Sequence, residues 1–236
     1  MENTNPWFKE GGSKARLVWV TPQAEEHIAY IARVSNPKNQ SNEKFEGLIK
    51  YCINHGHVSV FEHAYMCVEI ITPLAIATQM LRHRSFCFQQ FSLRYSDHSE
   101  MSPTRLERGF IPESARLQDL SNRQNSLEAH NADLDDHMWS LMDSSYNVSQ
   151  MTYKTLLDNG IAKEIARFVL PQGFYTRLYA TGNARSWMHY LRVREEVGVV
   201  QSEHVDLARA VRRVFSAEFP LISSLYLDEQ VPIAVL

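Results

Sequence analysis

The sequence predicts one domain of mixed helix and strand. Short runs of β-forming residues at 17–20, 64–71 and 173–181 are separated by longer stretches whose apolar residues recur at helical spacing. The 236 residues suffice for one sizeable core, and no shift in composition marks a second domain, so residues 1–236 are expected to fold as a unit. With 44% apolar residues and a formal charge of -3, the chain has the composition of an ordinary globular protein.

Several classes are set aside at once. No run approaches the roughly 20 successive apolar residues of a membrane span. Residues 1–14 are polar and unlike a signal peptide, and Gly11-Gly12-Ser13 suggests a flexible lead-in over 1–13. Cys52, Cys67 and Cys87 are odd in number and lack C-x-x-C spacing, which indicates neither a disulfide framework nor a zinc site. His55, His57 and His63 are close in sequence without an H-E-x-x-H pattern, and no metal site is expected. The default location is the cytoplasm.

Taken in order, residues 17–20 read as an opening strand. Thr21 is then placed to cap a helix with Pro22 at its first position and Glu25 and Glu26 in its first turn, running to about Val34. A second helix is expected from Ser41, with Phe45, Leu48, Ile49, Cys52 and Ile53 on one face and Gly56 as its stop. Residues 55–63 form a polar turn. In the strand that follows, Ala64, Met66, Val68 and Ile70 alternate with Tyr65, Cys67 and Glu69, the period of a partly buried sheet.

Pro73 opens a helix that delivers Gln79 and Arg82 one turn apart, and a polar loop follows it. From Tyr95 to about Asn122, punctuated by Pro103, Gly109 and Pro112, an irregular segment with at most short strands is expected, a candidate cover. A long helix from near Asn125 to Asp158 carries Leu134, Met138, Leu141, Val148 and Leu156 as a stripe for core or subunit packing, ended by Asn159-Gly160. Residues 161–170 form a compact helix in which Glu164 and Arg167 are spaced as an exposed ion pair. After the strand at 173–181, Asn183 caps a helix over 184–194. Arg194 follows Trp187, Tyr190 and Leu191 on its inward face. A buried guanidinium there needs an anion, a polarisable carbonyl or an internal carboxylate. Ser202 caps a last helix whose Arg209, Arg212 and Arg213 read as a solvated face.

The most distinctive stretch runs from Arg82 to Arg94, where three arginines and a histidine alternate with aromatic residues in a chain that is acidic overall. Arg82 and Arg84 suit the end of a helix, where cations are favoured. Three guanidinium forks so close together equally suit an anionic, planar ligand. The run resembles the signature of flavin-dependent thymidylate synthases, R-H-R-x-x-S-x-N-x-x-S-x-R, at Arg82, His83, Arg84, Ser92 and Arg94. Cys87, Gln89 and Gln90 depart from the family's usual Ser, Asn and Glu. Residues 55–63 are similar to its H-G-H-x-[ST]-x-F-E-H stretch, residues 164–171 to E-x-A-R-x-x-L-P, and residues 183–194 to N-A-R-S-x-x-x-[FY]-x-x-x-R, with His189 at a site often Asn. The likeness extends from about 34 to 218 and is weakest over 96–160.

The resemblance implies an α+β fold with helices around a twisted, mainly antiparallel sheet, assembled as a homotetramer with shared active sites. It implies transfer of a methylene group from methylenetetrahydrofolate to C5 of dUMP, completed with FAD that NADPH reduces. Arg194, Ser92 and His57 would form the catalytic set. FAD would be held by Ser59, Arg82, His83, Arg84, Gln90, Asn183, Arg185 and His189. The residues for dUMP would be Gln79, Arg82, Gln90, Ser92, Leu93, Arg94, Arg167 and Arg194. Cys87 has arginine neighbours suited to a reactive thiol, yet the family needs no cysteine nucleophile. The rival readings are a folate- and flavin-dependent methyltransferase acting on uracil in RNA, and a non-catalytic nucleotide or RNA binder. Net charge -3 without a lysine-rich face argues against nucleic acid as a partner, and nothing points to a membrane.

Overall fold

The computed structural model describes residues 3–101 and 109–228. The chain opens with a hairpin of β1 (Phe8–Glu10) and β2 (Ser13–Val20), turning at Gly11 with φ 46°. The flexible lead-in expected over 1–13 is therefore corrected for its second half. Phe8 packs against the core and pairs with Ala15, so Gly11-Gly12 forms a hairpin turn rather than a linker. Residues 1 and 2 lie outside the described residues.

Helix α1 (Ala24–Ala32) starts later than expected, after Gln23 in a left-handed conformation. Thr21 does not cap it, because its hydroxyl accepts from Tyr65 N and its own N–H donates to Tyr65 O, each at 2.9 Å. Buried Arg33 donates to the Lys44 carbonyl at 2.7 Å and also to that of Asn42, tying the end of α1 to the segment that leads into α2 (Glu46–Asn54).

Strand β3 (Tyr65–Pro73) is buried on both faces from Met66 onward, more deeply than its alternation suggested. Glu69 is tolerated there, 2% exposed, because Arg16 at 2.7 Å and Arg177 at 3.4 Å pair its charge. Helix α3 (Leu74–Met80) follows Pro73 as expected. The loop expected after it contains β4 (Cys87–Gln90), which pairs in antiparallel register with β7 (Tyr175–Asn183).

A small separate hairpin of β5 (Arg116–Gln118) and β6 (Ser126–Glu128) lies in the irregular segment. Residues 102–108, with Pro103, fall outside the described residues. Asn131 caps α4 (Ala132–Asp158), accepting from Leu134 N at 3.2 Å. Its expected stripe does not form protomer core: Leu141 and Val148 are 59% and 64% exposed, while Tyr146 and Tyr153 face inward. Helix α5 (Lys163–Ala166) is a single turn continued as a 3-10 turn, shorter than expected. Asn183 caps α6 (Ala184–Arg194) as predicted, accepting from Ser186 N at 2.9 Å. Ser202 is not the cap of α7 (Ser202–Glu218): that position belongs to Gln201, whose amide is engaged elsewhere.

The strand order is β1-β2-β3-β7-β4, every neighbour antiparallel. Helix α7 crosses β1 and β2, and α6 packs beside it. Between sheet and helices lie Met66, Ile70, Leu178, Trp187, Tyr190, Val211 and Phe215, all essentially buried. The fold is α+β with an antiparallel sheet, as the family likeness implied. No described helix is long and apolar enough to cross a membrane.

Candidate functional site

The arginine-rich run is fixed by an aromatic anchor. Phe86 is 7% exposed, with its ring centroid 4.5 Å from that of Trp187, and it also meets His83 and Tyr190 edge-on. Gly182 on β7 makes room for it, since a Cβ there would lie 2.5 Å from the Phe86 ring. The exposed side chains of Arg82 and Arg84 thus leave a rigid stem between α3 and β4. Neither has a carboxylate partner among the described residues.

Arg194 ends α6 half-buried, and its Nε donates to His83 Nε2 at 2.8 Å. Of the partners expected for it, an internal carboxylate is not found among the described residues. Burial, and then the charges of Arg194 and His189, push His83 down to about 4, so its ring is neutral at pH 7. Because a guanidinium only donates, Nε2 is the accepting nitrogen and the proton sits on Nδ1. Arg194 is left with its terminal amino groups for a ligand. His83 also stands edge-on to Tyr190, 5.1 Å between centroids, and Tyr190 is hydrogen-bonded to buried His204 at 3.2 Å. His204 Nδ1 reaches Gln79 at 3.1 Å, which brings that expected nucleotide residue into the same cluster.

A second group surrounds a cavity of about 490 Å³ lined by Gln90, Ser92, Leu93 and Arg167, with His98 and Phe174 at its back. Gln90 is positioned by Thr176 Oγ1 at 3.2 Å. The ion pair expected between Glu164 and Arg167 is replaced by another arrangement. The Glu164 carboxylate meets Arg94 at 3.4 Å, while Arg167 donates to the Glu164 carbonyl at 3.3 Å. Arg94 and Arg167 are thereby held beside one another through one residue. Arg82, Arg194 and Gln79 do not line this cavity.

The remaining expected residues form a third face. His57 is exposed and lies in a stack with Tyr51 and His55, its centroid 5.7 Å from that of Tyr51, with no contact to Arg194 or Ser92. Ser59 is exposed in the turn after it. Arg185 pairs with Glu62 from that same turn. The Asn183 oxygen is occupied by its cap, accepting from Ser186 N and Oγ at 2.9 Å each, so only its amide nitrogen is left to meet a ligand. His189 is exposed on α6. An aromatic ring carrying phosphates fits this donor set: unpaired Arg82 and Arg84, the Asn183 amide and the hydroxyl of Ser59 offer donors and almost no competing negative charge.

Several residues escaped sequence reasoning. Gln201, Glu203 and His204 join Tyr190, already expected on the inward face of its helix, in a polar chain into the core that only tertiary contacts reveal. The glutamate in the F-E-H stretch was the one available signal for Glu62. Cys87 is exposed on edge strand β4 opposite Thr181, away from the Arg194 cluster's contacts. Among the described residues, no group of three or more His, Cys, Asp or Glu is arranged to hold a metal.

Comparison with known proteins places this geometry in context. A family model described as thymidylate synthase complementing protein matches residues 16–221. A probable flavin-dependent thymidylate synthase of Paramecium bursaria Chlorella virus 1 is 48% identical over 203 residues, covering 85% of this chain and 89% of that protein. A flavin-dependent thymidylate synthase of Synechocystis sp. is 43% identical over 197 residues, covering 84% and 86%. Among solved structures, that of the UMP/dUMP methylase PolB from Streptomyces cacaoi bound with 5-Br dUMP matches with TM-score 0.78 and 27% identity, covering 92% of this chain and 96% of that one.

Proposed function

The chain belongs to the family of flavin-dependent thymidylate synthases, and from that premise we propose that it methylates dUMP at C5, with methylenetetrahydrofolate as carbon donor and FAD reduced by NADPH, as a cytoplasmic homotetramer. Bound FAD supplies the hydride chemistry. The protein's part is to bind, orient and polarise the nucleotide.

The observation that carries this reading is Arg194: a half-buried guanidinium whose Nε is held by a neutral imidazole and which has no carboxylate partner among the described residues. Uracil C5 becomes a better nucleophile when negative charge on the N3/O4 side of the ring is stabilised. A fixed guanidinium does that without reorganising. Ser92, Arg94 and Arg167, held together through Glu164 and the cavity wall, suit a phosphate and would fix the ring's position. Arg82, Arg84, Ser59, Asn183 and Arg185, with His83 and His189, would hold FAD, Gln90 would reach it from the wall of the phosphate cavity, and His57 would stand at its edge.

These groups occupy separate faces of one protomer, and the proposed tetramer would bring them together. Its support is apolar surface with no cover in the protomer: Trp139, Leu141, Val148 and Met151 on α4 and Phe168 beyond α5. The deciding assay is tritium release from C5-labelled dUMP with FAD, NADPH and methylenetetrahydrofolate. Release that depends on all three, from a yellow protein of tetrameric mass, is expected. Folded, flavin-loaded protein that releases no tritium would sink the reading.

A further inference from the structure

Six side chains join β5 to the centre of the core through α7 and α3. Arg116 pairs with Glu203, and Gln201 Nε2 donates to the other Glu203 oxygen at 2.8 Å. Gln79 Nε2 donates to Gln201 Oε1 at 2.6 Å. Gln79 Oε1 lies 3.1 Å from His204 Nδ1, and His204 Nε2 lies 3.2 Å from the Tyr190 hydroxyl. Glu203, His204 and Tyr190 are buried, whereas Gln79 is half-buried and Gln201 exposed.

The direction of every bond in this chain follows from one group. Burial opposes the Glu203 charge, but the bonds from Arg116 and Gln201 outweigh it and keep the carboxyl below its usual range. A carboxylate only accepts, so Gln201 must turn its amide nitrogen toward Glu203 and its oxygen toward Gln79. Gln79 must then donate to Gln201 and accept from His204. The His204 proton is therefore on Nδ1, and its Nε2 accepts from Tyr190. Reversing either amide would set two acceptors or two donors face to face, against buried Glu203 at one end or buried His204 at the other, where an unmade bond is costly.

One N–H of the Gln79 amide is not used by this chain. We propose that Glu203 and His204 are positioning residues that present this N–H as an obligatory donor to an oxygen of the bound nucleotide, resting on dUMP as the substrate and on the contact to it that the family resemblance implies for Gln79. Without the chain, the amide could offer oxygen or nitrogen at the same place. With it, only an acceptor is welcome.

The test is Glu203→Gln, which keeps the shape but reverses the chain: Arg116 still donates to the side-chain oxygen, so the new amide nitrogen faces Gln201 and makes it accept, and an oxygen replaces the spare N–H of Gln79. The KM for dUMP should rise on the order of threefold to tenfold, the range of one neutral hydrogen bond. kcat at saturating dUMP and flavin content per subunit should stay at the wild-type level, a split that simple destabilisation would not produce. Gln201→Met interrupts the chain at an exposed position and should show the same split, which keeps the test alive if the buried variant does not fold. Inhibition by deoxyuridine separates the two sources of the oxygen: weakened in the variants, it assigns the acceptor to base or sugar; unchanged, to phosphate. A wild-type KM in either folded variant, or a fall in kcat with KM unmoved, overturns the proposal. Gln79→Leu distinguishes the two levels. If it raises KM while Glu203→Gln does not, the relay is wrong and the nucleotide contact stands. If it leaves KM unchanged, the contact itself is wrong and the relay falls with it.

Discussion

Arg194 gives its Nε–H to the unprotonated Nε2 of His83 at 2.8 Å, so a permanent cation is steadied by a neutral ring instead of an anion. That pairing orients the guanidinium without cancelling its charge. A carboxylate in the place of His83 would hold it as firmly and blunt its pull on a substrate. Arg194→Lys keeps a charge but loses the planar fork, and tritium release from C5-labelled dUMP should fall by about 10²- to 10³-fold. Flavin content should be retained, since the loss is one of polarisation rather than of cofactor.

Cys87 is exposed on the edge strand and contacts none of the residues around Arg194. Cys87→Ala should therefore leave tritium release within about twofold of wild type, the usual range for a surface substitution. Complete loss in a folded, yellow variant would restore the cysteine as nucleophile.

Gly182 and Phe86 share one space. A Cβ at 182 would sit 2.5 Å from the ring, and the strand and ring are both hemmed in. Gly182→Ala should cost about 1–3 kcal/mol by overpacking. Because Phe86 anchors the stem that carries Arg82 and Arg84, the same variant should lose flavin absorbance during purification. Thermal melting and the visible spectrum measure the two effects.

Glu69 lies beneath Arg16 and Arg177 in the central strand, 2% exposed. Replacing it by Gln leaves two guanidinium groups without their counter-charge. Both arginines retain some solvent, so the cost should be about 1–3 kcal/mol in urea unfolding, less than for a fully dry pair.

His204 is pushed down from 6.5 to about 3 by burial, then by the charges of Arg194 and His83. Between those values the unfolded chain binds a proton that the native state refuses. The stability His204 contributes is thus complete above pH 6.5 and is lost as pH falls toward 3, with a slope of at most about 1.4 kcal/mol per pH unit. The stability gap between wild type and His204→Gln should narrow over that window in urea unfolding. A gap independent of pH would show that the ring does not titrate this way.

Much of the sheet was legible because local chemistry decided it. The strand at 65–73 announces itself by β-branched and apolar residues, and the helix at 184–194 by its Asn183 cap. Thr21 misled because its hydroxyl has two possible uses, capping the next residues or pairing with a strand far along the chain, and Tyr65 wins it. The stretch 82–94 looked like loop because edge strand β4 is short and polar, and only β7 beside it supplies the ladder. For α4, spacing identified an apolar stripe but not its destination, and Leu141 and Val148 stay exposed in the protomer.

From its sequence alone this protein has its family, the order of its elements and the arginines of four separated motifs, because each is written in residues near one another along the chain. Tertiary structure decided the states of those residues. Folding brings His83 to Arg194, Glu164 to Arg94, and Glu203 within two amides of His204. Charge, tautomer and hydrogen-bond direction depend on neighbours distant in sequence and on exclusion of water, and neither exists until the chain has closed around them.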